Sequence, residues 1–215
     1  MLEFTDERGE RVELTPGAFT IAGYTGRDRA MVQKHIDELQ REGIPPPPEV
    51  PMWYEMPVGI LTTAERIAVE SPMSCGEVEP VLLGIGEALY LGIGSDHTAR
   101  DVEREDIATS KRVCPKPIGR SIVRIATLDA AYDGLKLESW IDGEAYQSGT
   151  AAQLIALPEL LAAFRARSSA SSFVLSCGTV PLLTHGFRFG AKFSAKISGG
   201  PLTSPLTLDY ITGKK

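Results

Sequence analysis

The chain has 215 residues, of which 43% are hydrophobic and 23% charged, so we expect a folded domain with a proper core rather than a disordered chain. Its formal net charge is −6 and no basic cluster interrupts it, which argues against binding to nucleic acid or to an anionic membrane surface. No apolar stretch approaches the roughly 18 residues of a membrane helix, and no signal peptide is predicted. Three cysteines without metal-binding spacing favour a reduced, cytoplasmic protein.

Short apolar runs separated by glycine and proline predict many strands and few helices. The predicted strands are residues 2–4, 11–14, 18–23, 58–61, 66–69, 77–83, 88–93, 135–141, 144–147, 172–177, 187–197 and 206–211. Helices are predicted at residues 27–42, where apolar residues recur at helical spacing, and at residues 99–109 and 158–165. The dipeptide Asp142-Gly143 predicts a hairpin turn between two of the strands.

A run of four prolines, residues 45–48, imposes an extended path on the chain. It marks the predicted boundary between a small N-terminal part, residues 1–50, and a β-rich domain, residues 51–215. We expect the N-terminal part to carry the helix of residues 27–42. We expect the β-rich domain to carry the site.

Two glutamates, Glu77 and Glu79, open a predicted strand. Residues two apart on a strand point to the same face, and two carboxylates on one face repel each other unless a cation neutralises them. Carboxylate oxygens suit hard cations such as Mg²⁺, Mn²⁺ or Ca²⁺. Taken alone, the pattern is more typical of two solvated glutamates on an exposed strand edge, because short charge patterns are common.

Asp96 follows the next apolar strand and could provide a third carboxylate. An ordinary turn residue is the alternative, with Thr98 capping the helix that follows. We expect His97 to pack or to form hydrogen bonds rather than to bind a metal ion, because hard cations prefer oxygen.

His35 and Glu38 are neighbours on the predicted helix, and a glutamate beside a histidine is how a water-activating base is built. The alternative is an exposed pair on a polar helix face. Lys111 could neutralise a substrate carboxylate or a developing enolate, and could equally be a solvated lysine. Gly178 and Thr179 could hold a carboxylate through an N–H and a hydroxyl, or form a simple turn.

In their order along the chain, these motifs resemble the fumarylacetoacetate hydrolase family. That family has an H-x-x-E lid dyad, an E-x-E strand, a G-[ND]-D-x-[ST]-A-R-D segment, a lysine before a Cys-Pro-like turn and a late G-T-P turn. The similarity spans roughly residues 20 to 200 and is greatest to the group known as a domain of unknown function, DUF2848. The chain departs from the family at residues 54–57, where a lysine-proline segment is replaced by Tyr-Glu-Met-Pro.

The resemblance implies an α+β, mostly β fold: a mixed β-roll with short helices and a small N-terminal part. It implies that Mg²⁺ or Mn²⁺ is the cofactor, with Ca²⁺ able to replace it in crystals, and that the chain forms a homodimer. The implied site residues are Glu77, Glu79 and Asp96 as metal ligands, His35, Glu38 and Lys111 as catalytic residues, and Arg100, Gly178 and Thr179 as substrate contacts.

The implied activity is that of a metal-dependent hydrolase or lyase which cleaves a C–C bond in a small 2-oxo or dioxo acid, of the acylpyruvate hydrolase or oxo-acid decarboxylase type. A hydratase or isomerase of an unsaturated oxo-acid is one alternative on the same scaffold. A non-catalytic paralogue that binds a small molecule is another, and the changed residues 54–57 keep it open.

Overall fold

A computed structural model describes residues 1–41 and 45–214, and the side chains of His35, Glu38 and Leu39 lie outside the described part. The strands in chain order are β1 (Leu2–Thr5), β2 (Arg11–Leu14), β3 (Ala18–Gly23), β4 (Met52–Glu55), β5 (Leu61–Thr62), β6 (Arg66–Val69), β7 (Ser74–Cys75), β8 (Val78–Ile85), β9 (Ala88–Ser95), β10 (Thr98–Ala99), β11 (Lys116–Pro117), β12 (Val123–Ile125), β13 (Leu135–Ile141), β14 (Glu144–Thr150), β15 (Ser172–Ser176), β16 (Lys192–Gly199) and β17 (Leu206–Lys214). The α-helices are α1 (Arg29–Arg41), α2 (Arg100–Glu103), α3 (Ile107–Arg112) and α4 (Leu157–Arg167).

Two mixed sheets organise the molecule. A six-stranded sheet has the order β12-β9-β8-β15-β3-β4, and a five-stranded sheet has the order β14-β13-β16-β17-β6. Most neighbouring strands are antiparallel, while β15 with β3 and β17 with β6 are parallel. The α+β, mostly β fold class predicted from the sequence is confirmed, and the division of the chain at residue 50 stays a prediction. In the described residues no helix is long and apolar enough to cross a membrane.

Strand β8 is buried along nearly its whole length because an apolar cluster covers each of its faces. One apolar cluster lies between the two sheets and includes Leu82 together with Leu137 and Ile197 of the five-stranded sheet. A second cluster contains Leu83, the next residue of β8, and lies beneath the β1–β2 hairpin. Since successive side chains point to opposite faces, β8 is covered on both faces, and each fully buried leucine contributes roughly 1.5–3 kcal/mol.

Several predicted strands and helices match the structure, and the Asp142-Gly143 turn is one confirmed detail. Both residues have positive φ, at 51° and 84°, as a two-residue hairpin turn requires. The predicted helix of residues 99–109 is wrong as a single element. The side chain of Asp106 accepts a hydrogen bond from the Thr109 N–H at 3.1 Å, so a new helix, α3, begins there.

Three strand predictions need correction. Residues 58–60 form a 3₁₀ turn after Pro57, and only Leu61–Thr62 is a strand. Residues 187–191 form a loop, because the Asp142 carboxylate accepts the backbone N–H groups of Ala191 and Lys192 and the strand begins there. Glu77 precedes β8 rather than lying in it, so the expected same-face arrangement with Glu79 does not follow from the strand pleat.

Candidate functional site

The three predicted metal-binding carboxylates lie at one end of the β8–β9 hairpin. Because these strands are antiparallel, the start of β8 lies beside the end of β9, where Glu79 pairs with Gly94. Glu77 precedes β8 and Asp96 follows β9, and the Asp96 N–H donates a hydrogen bond to the Glu77 carbonyl at 3.0 Å. The register of one hairpin therefore brings these three residues together.

Asp96 is held between two buried lysines. The Lys111 ammonium donates to Oδ2, the Lys116 Nζ lies 2.9 Å from Oδ1, and the Thr98 hydroxyl donates to Oδ1 at 3.2 Å. Burial alone would raise the pKa of Asp96, but the two ammonium groups outweigh it and hold this pKa far below its ordinary value. Asp96 is therefore an anion whose charge the chain itself neutralises.

Glu79 is buried without a cation of its own. Its side chain is 3% exposed, and in the described residues no lysine or arginine forms an ion pair with it. The Gly178 N–H donates to Oε2 at 3.1 Å. Burial, followed by the nearby charge of Asp96, raises the pKa of Glu79 from 4.5 to about 8. At neutral pH the Glu79 carboxyl is therefore protonated and uncharged, so a proton neutralises it instead of a lysine or an arginine.

Arg100 is the first residue of α2, and its guanidinium contacts both Glu77 and the loop before β16. Its Nη2 lies 2.7 Å from Glu77 Oε2, and its Nη1 lies 2.9 Å from the Glu103 carboxylate. The contact with Glu77 is an ion pair without hydrogen-bond geometry, which leaves the buried Nη2 without an acceptor in the part of the chain described. The Phe187 ring covers the guanidinium at 3.9 Å from the ring centre. Arg100 thus neutralises Glu77 and retains a donor for a further oxygen.

The Gly178-Thr179 turn closes the site beside β15. Gly178 has φ +92°, and a Cβ there would overlap the side chain of Thr25, so only glycine lets this N–H reach the carboxyl in β8. The Thr179 hydroxyl donates to the Val78 carbonyl at 2.7 Å and accepts from Gln147 Nε2 at 2.8 Å. The turn is therefore bonded to the start of β8, where the carboxylates lie.

The lid dyad predicted from the sequence lies on α1, which is formed from Arg29 to Arg41. The side chains of His35 and Glu38 lie outside the described residues, so their roles stay predictions. The side chain of Lys111, the third predicted catalytic residue, belongs to the described part of the chain. Its ammonium lies 5.5 Å from the centre of the Tyr54 ring, so β4 borders the same region.

The donor set suits a hard divalent cation, although the carboxylates are paired to cations of the chain. Across residues 1–41 and 45–214, no three His, Cys, Asp or Glu side chains are close enough together to hold a metal ion. Glu77 is paired with Arg100, and Asp96 is paired with Lys111 and Lys116. In donor chemistry the residues fit such an ion, since all three supply carboxylate oxygens and the buried Glu79 lacks a cation.

The sequence analysis assigned no role in the site to Lys116, Gln147 or Tyr210. A lone lysine between two prolines in an apolar stretch was a usable signal for Lys116, because a buried lysine requires a partner. Gln147 accepts the Val78 N–H at 2.9 Å, and its strand position alone does not reveal this bond. Tyr210 occupies an inward position of β17, where a buried hydroxyl needs a partner that only the folded chain identifies.

A groove of about 520 Å³ lies away from these carboxylates. It is lined by residues 63–66, 118–121 and 207–211 together with Lys192, and its cationic side chains are Arg66, Arg120 and Lys192. None of the three carboxylates lines it. The buried charges at the β8–β9 hairpin, rather than the size of this groove, identify the candidate site.

Comparison with known families gives one match over most of the chain. The sequence model of a family described as a protein of unknown function, DUF2848, matches residues 22–210. Among curated proteins, no sequence matches the chain.

Solved structures match the chain over nearly its whole length. A proposed fumarylacetoacetate isomerase/hydrolase from Oleispira antarctica has a TM-score of 0.70 and 18% identity over 99% of this chain and 100% of that one. A fumarylpyruvate hydrolase from Pseudomonas aeruginosa, solved with Mn²⁺ and pyruvate, has a TM-score of 0.66 and 14% identity over 100% and 96%. A 5-carboxymethyl-2-hydroxymuconate delta-isomerase from Mycobacterium smegmatis has a TM-score of 0.65 and 17% identity over 94% and 80%. These similarities confirm the fumarylacetoacetate hydrolase-like fold predicted from the sequence.

Proposed function

The chain belongs to the DUF2848 protein family, and from its site we propose a divalent-metal-dependent hydrolase or lyase that cleaves a C–C bond in a small 2-oxo or dioxo acid. The observation that carries this proposal is Glu79, a buried carboxyl without a cation of its own beside the buried carboxylate of Asp96. Such a pair is costly unless a proton or a metal ion neutralises it.

Charge balance supports an anionic substrate. Three cations of the chain face four carboxyl groups, namely Arg100, Lys111 and Lys116 facing Glu77, Glu79, Asp96 and Glu103. With Glu79 protonated the charges cancel. A divalent cation in place of that proton leaves one net positive charge, which a single substrate carboxylate neutralises.

In this proposal Glu77, Glu79 and Asp96 hold Mg²⁺ or Mn²⁺. When bound, the ion supplies a Lewis acid that stabilises the charge left on a substrate oxygen as the C–C bond breaks. The fumarylpyruvate hydrolase from Pseudomonas aeruginosa, which shares the fold, was solved with Mn²⁺ and pyruvate. That complex supports the choice of Mn²⁺ as the first ion to test.

The other side chains have separate roles. Lys111 places positive charge beside the carboxylates and stabilises an enolate oxygen of the substrate. Arg100 offers its buried Nη2, which has no acceptor in the described residues, to a substrate oxygen. Gly178 and Thr179 form the wall of the site beside Glu79 and are proposed substrate contacts.

His35 and Glu38 complete the proposal as a catalytic dyad on α1. In a hydrolase the histidine takes a proton from the attacking water, and the glutamate orients the imidazole and raises its basicity. In a lyase that releases carbon dioxide, the same pair orients or protonates the product. Closure of this helix over the site would order the dyad only when substrate binds.

An isomerase is the second candidate, because a delta-isomerase from Mycobacterium smegmatis has the same fold. An isomerase needs the ion and the cationic side chains but no attacking water. The two candidates therefore share all site residues except the dyad, whose function as a base toward water is needed only for hydrolysis.

Product analysis tests the proposal. The purified protein is incubated with a panel of 2-oxo and 2,4-dioxo acids and Mn²⁺ or Mg²⁺, and products are identified by mass spectrometry. Cleavage gives two fragments, isomerisation one product of unchanged mass, and hydration one product heavier by a water. Cleavage that disappears with a chelator supports the proposal, whereas an unchanged panel contradicts an enzymatic role toward these acids.

A matched pair of variants controls this experiment. Glu79→Gln is expected to abolish turnover because it removes a proposed metal ligand. Glu87→Gln makes the same chemical change at an exposed turn, at the other end of the β8–β9 hairpin. It is expected to retain wild-type activity.

A further inference from the structure

One buried hydroxyl group contacts the residues on both sides of Asp96. Tyr210 lies in β17, in the five-stranded sheet, and is 1% exposed. Its hydroxyl lies 2.9 Å from Ser95 Oγ and 2.8 Å from His97 Nδ1. The carboxylate site belongs to the other sheet, so this hydroxyl fixes the turn that carries Asp96 from across the core.

The same hydroxyl also fills the space beside the residue before Glu77. A Cβ built on Gly76 would overlap the Tyr210 hydroxyl, and the Ser95 hydroxyl as well. Only a glycine therefore lets the chain pass this close to Tyr210. The segment that leads into Glu77 is thus in van der Waals contact with the group that is hydrogen-bonded on either side of Asp96.

The hydrogen bonds around Tyr210 have one consistent direction. Ser74 uses its hydroxyl proton to bond the Ser71 carbonyl at 2.9 Å, so its oxygen accepts from His97 Nε2 at 3.0 Å. His97 Nδ1 is then an acceptor, and Tyr210 donates to it. The tyrosine oxygen is left to accept the proton of Ser95. The hydroxyls of Ser74 and Tyr210 thus each donate once and accept once, and the hydroxyl of Ser95 donates once.

The series is buried throughout. Ser74, Ser95, His97 and Tyr210 are each 5% exposed or less. In such surroundings hydrogen bonds hold geometry firmly, and loss of one partner leaves a buried polar group unsatisfied. The arrangement is therefore suited to fixing a backbone position.

We propose that Tyr210 is a positioning residue whose hydroxyl fixes the turn that carries Asp96 against the segment that leads into Glu77, within the site proposed for a divalent cation. This inference rests on the proposed function, because it assigns Tyr210 a role in the geometry of the metal site. Tyr210 acts through Ser95, His97 and Gly76 and touches neither the ion nor the substrate.

Substitution of Tyr210 by phenylalanine tests the inference. The ring stacks on Phe193 at 5.2 Å between centroids, and Tyr210→Phe keeps that contact while removing only the hydroxyl. We expect the affinity for Mn²⁺, measured by titration calorimetry, to fall by ~10-fold or more. Tyr90→Phe is the control, since Tyr90 is also buried and its hydroxyl has no hydrogen-bond partner among the described residues; its affinity should match the wild type.

A spectroscopic measurement separates positioning from stability. At saturating Mn²⁺ every folded molecule carries the ion, so a change in stability alone leaves the electron paramagnetic resonance spectrum of bound Mn²⁺ unchanged. We expect a changed spectrum in Tyr210→Phe and the wild-type spectrum in Tyr90→Phe. If Tyr210→Phe does not fold, Ser95→Ala, which removes the donor to the same hydroxyl, is measured in its place with the same expectation.

The outcomes distinguish a failure of the proposed function from a failure of the role given to Tyr210. A wild-type protein that binds no Mn²⁺ contradicts the proposed function and this inference with it. A wild-type protein that binds Mn²⁺, together with wild-type affinity and spectrum in the Tyr210 or Ser95 variant, contradicts the inference alone.

Discussion

Burial and the charge of Asp96 both oppose ionisation of the Glu79 carboxyl and raise its pKa from 4.5 to about 8. The cations that could offset this are engaged with other carboxylates: Lys111 and Lys116 with Asp96, and Arg100 with Glu77. Ionisation of this one residue therefore works against the folded state. Because the pKa of Glu79 differs between the folded and unfolded chain, the free energy of unfolding depends on pH.

The raised pKa of Glu79 makes the folded state less stable at higher pH. The pKa of Glu79 is 4.5 in an ordinary environment and about 8 in the fold, so between these values the folded chain holds a proton that the unfolded chain lacks. Stability must then fall as pH rises toward 8, at up to about 1.4 kcal/mol per pH unit. His97 has the opposite effect below its ordinary pKa of 6.5, since burial lowers its pKa to about 3.

We therefore predict that the metal-free protein loses stability between pH 6.5 and pH 8, where His97 is neutral in the fold and at most half protonated in the unfolded chain, so the effect of Glu79 outweighs it. Glu79→Gln, which has no proton to lose, should remove this loss. Urea unfolding at several pH values in the presence of a chelator measures both proteins. Parallel pH profiles would show that Glu79 does not have the raised pKa.

Lys116 gives a second prediction at the level of one residue. Lys116→Met leaves the buried Asp96 with one cation in place of two, and breaking a buried ion pair costs about 3–5 kcal/mol. Lys192→Met is the control, because its side chain is 56% exposed and a surface ion pair contributes less than about 1 kcal/mol. Urea unfolding at pH 7 compares them, and equal losses would contradict the role given to Lys116.

Among the structural elements, the β8–β9 hairpin shows what the sequence can and cannot predict. Two apolar runs separated by a short turn predict both strands, and the polar residues at their far ends predict a site there. The start of β8 is one residue later than predicted, so the side chain of Glu77 faces Arg100 instead of following the pleat of the strand. The ion pair of Glu77 with Arg100 forms only in the folded chain, so the local sequence pattern does not predict it.

Residues 187–191 were predicted as a strand but form a loop. Phe187 and Phe189 alternate with other residues as they would in a strand, yet they are 45% and 39% exposed. The strand begins only at Lys192, after the Asp142 side chain has bonded the preceding N–H groups. A side chain from a distant hairpin turn thus sets the start of this strand, and local periodicity does not contain that information.

The turn at Gly178 is an element whose glycine can be tested. Gly178→Ala would force φ +92° on an alanine and overlap Thr25, whereas Gly86→Ala meets only the positive φ of +61° with open space around it. A positive φ costs an alanine about 1–2 kcal/mol, and overpacking adds about 1–3 kcal/mol. We predict a larger drop in Tm for Gly178→Ala than for Gly86→Ala, and an equal drop would mean that Thr25 gives way freely.

On the scale of the whole molecule, the order of weak motifs predicted more than any single one. The sequence of glutamates, aspartate, lysine and late glycine indicated the fold family, and the fold is confirmed. The order of strands in the six-stranded sheet was not predictable, because β15 lies between β8 and β3 although it comes late in the chain. Such pairing depends on which apolar faces meet, and many strands of this chain have similar faces.

The association of two chains is a prediction at this scale. The resemblance implies a homodimer, and Leu183, Phe187 and Phe189 expose apolar surface within one loop. We predict a mass near twice 23.2 kDa in sedimentation velocity at micromolar concentration. A single species at 23.2 kDa would rule out a stable dimer under these conditions.

Titration of the purified protein with Mn²⁺ shows whether the end of the β8–β9 hairpin carries a divalent-cation site. The wild type should bind Mn²⁺, Glu87→Gln should bind it equally, and Glu79→Gln should bind it at least ~10-fold more weakly. Equal Mn²⁺ affinity in Glu79→Gln and the wild type, or no binding by the wild type, would show that Glu79 is not part of such a site.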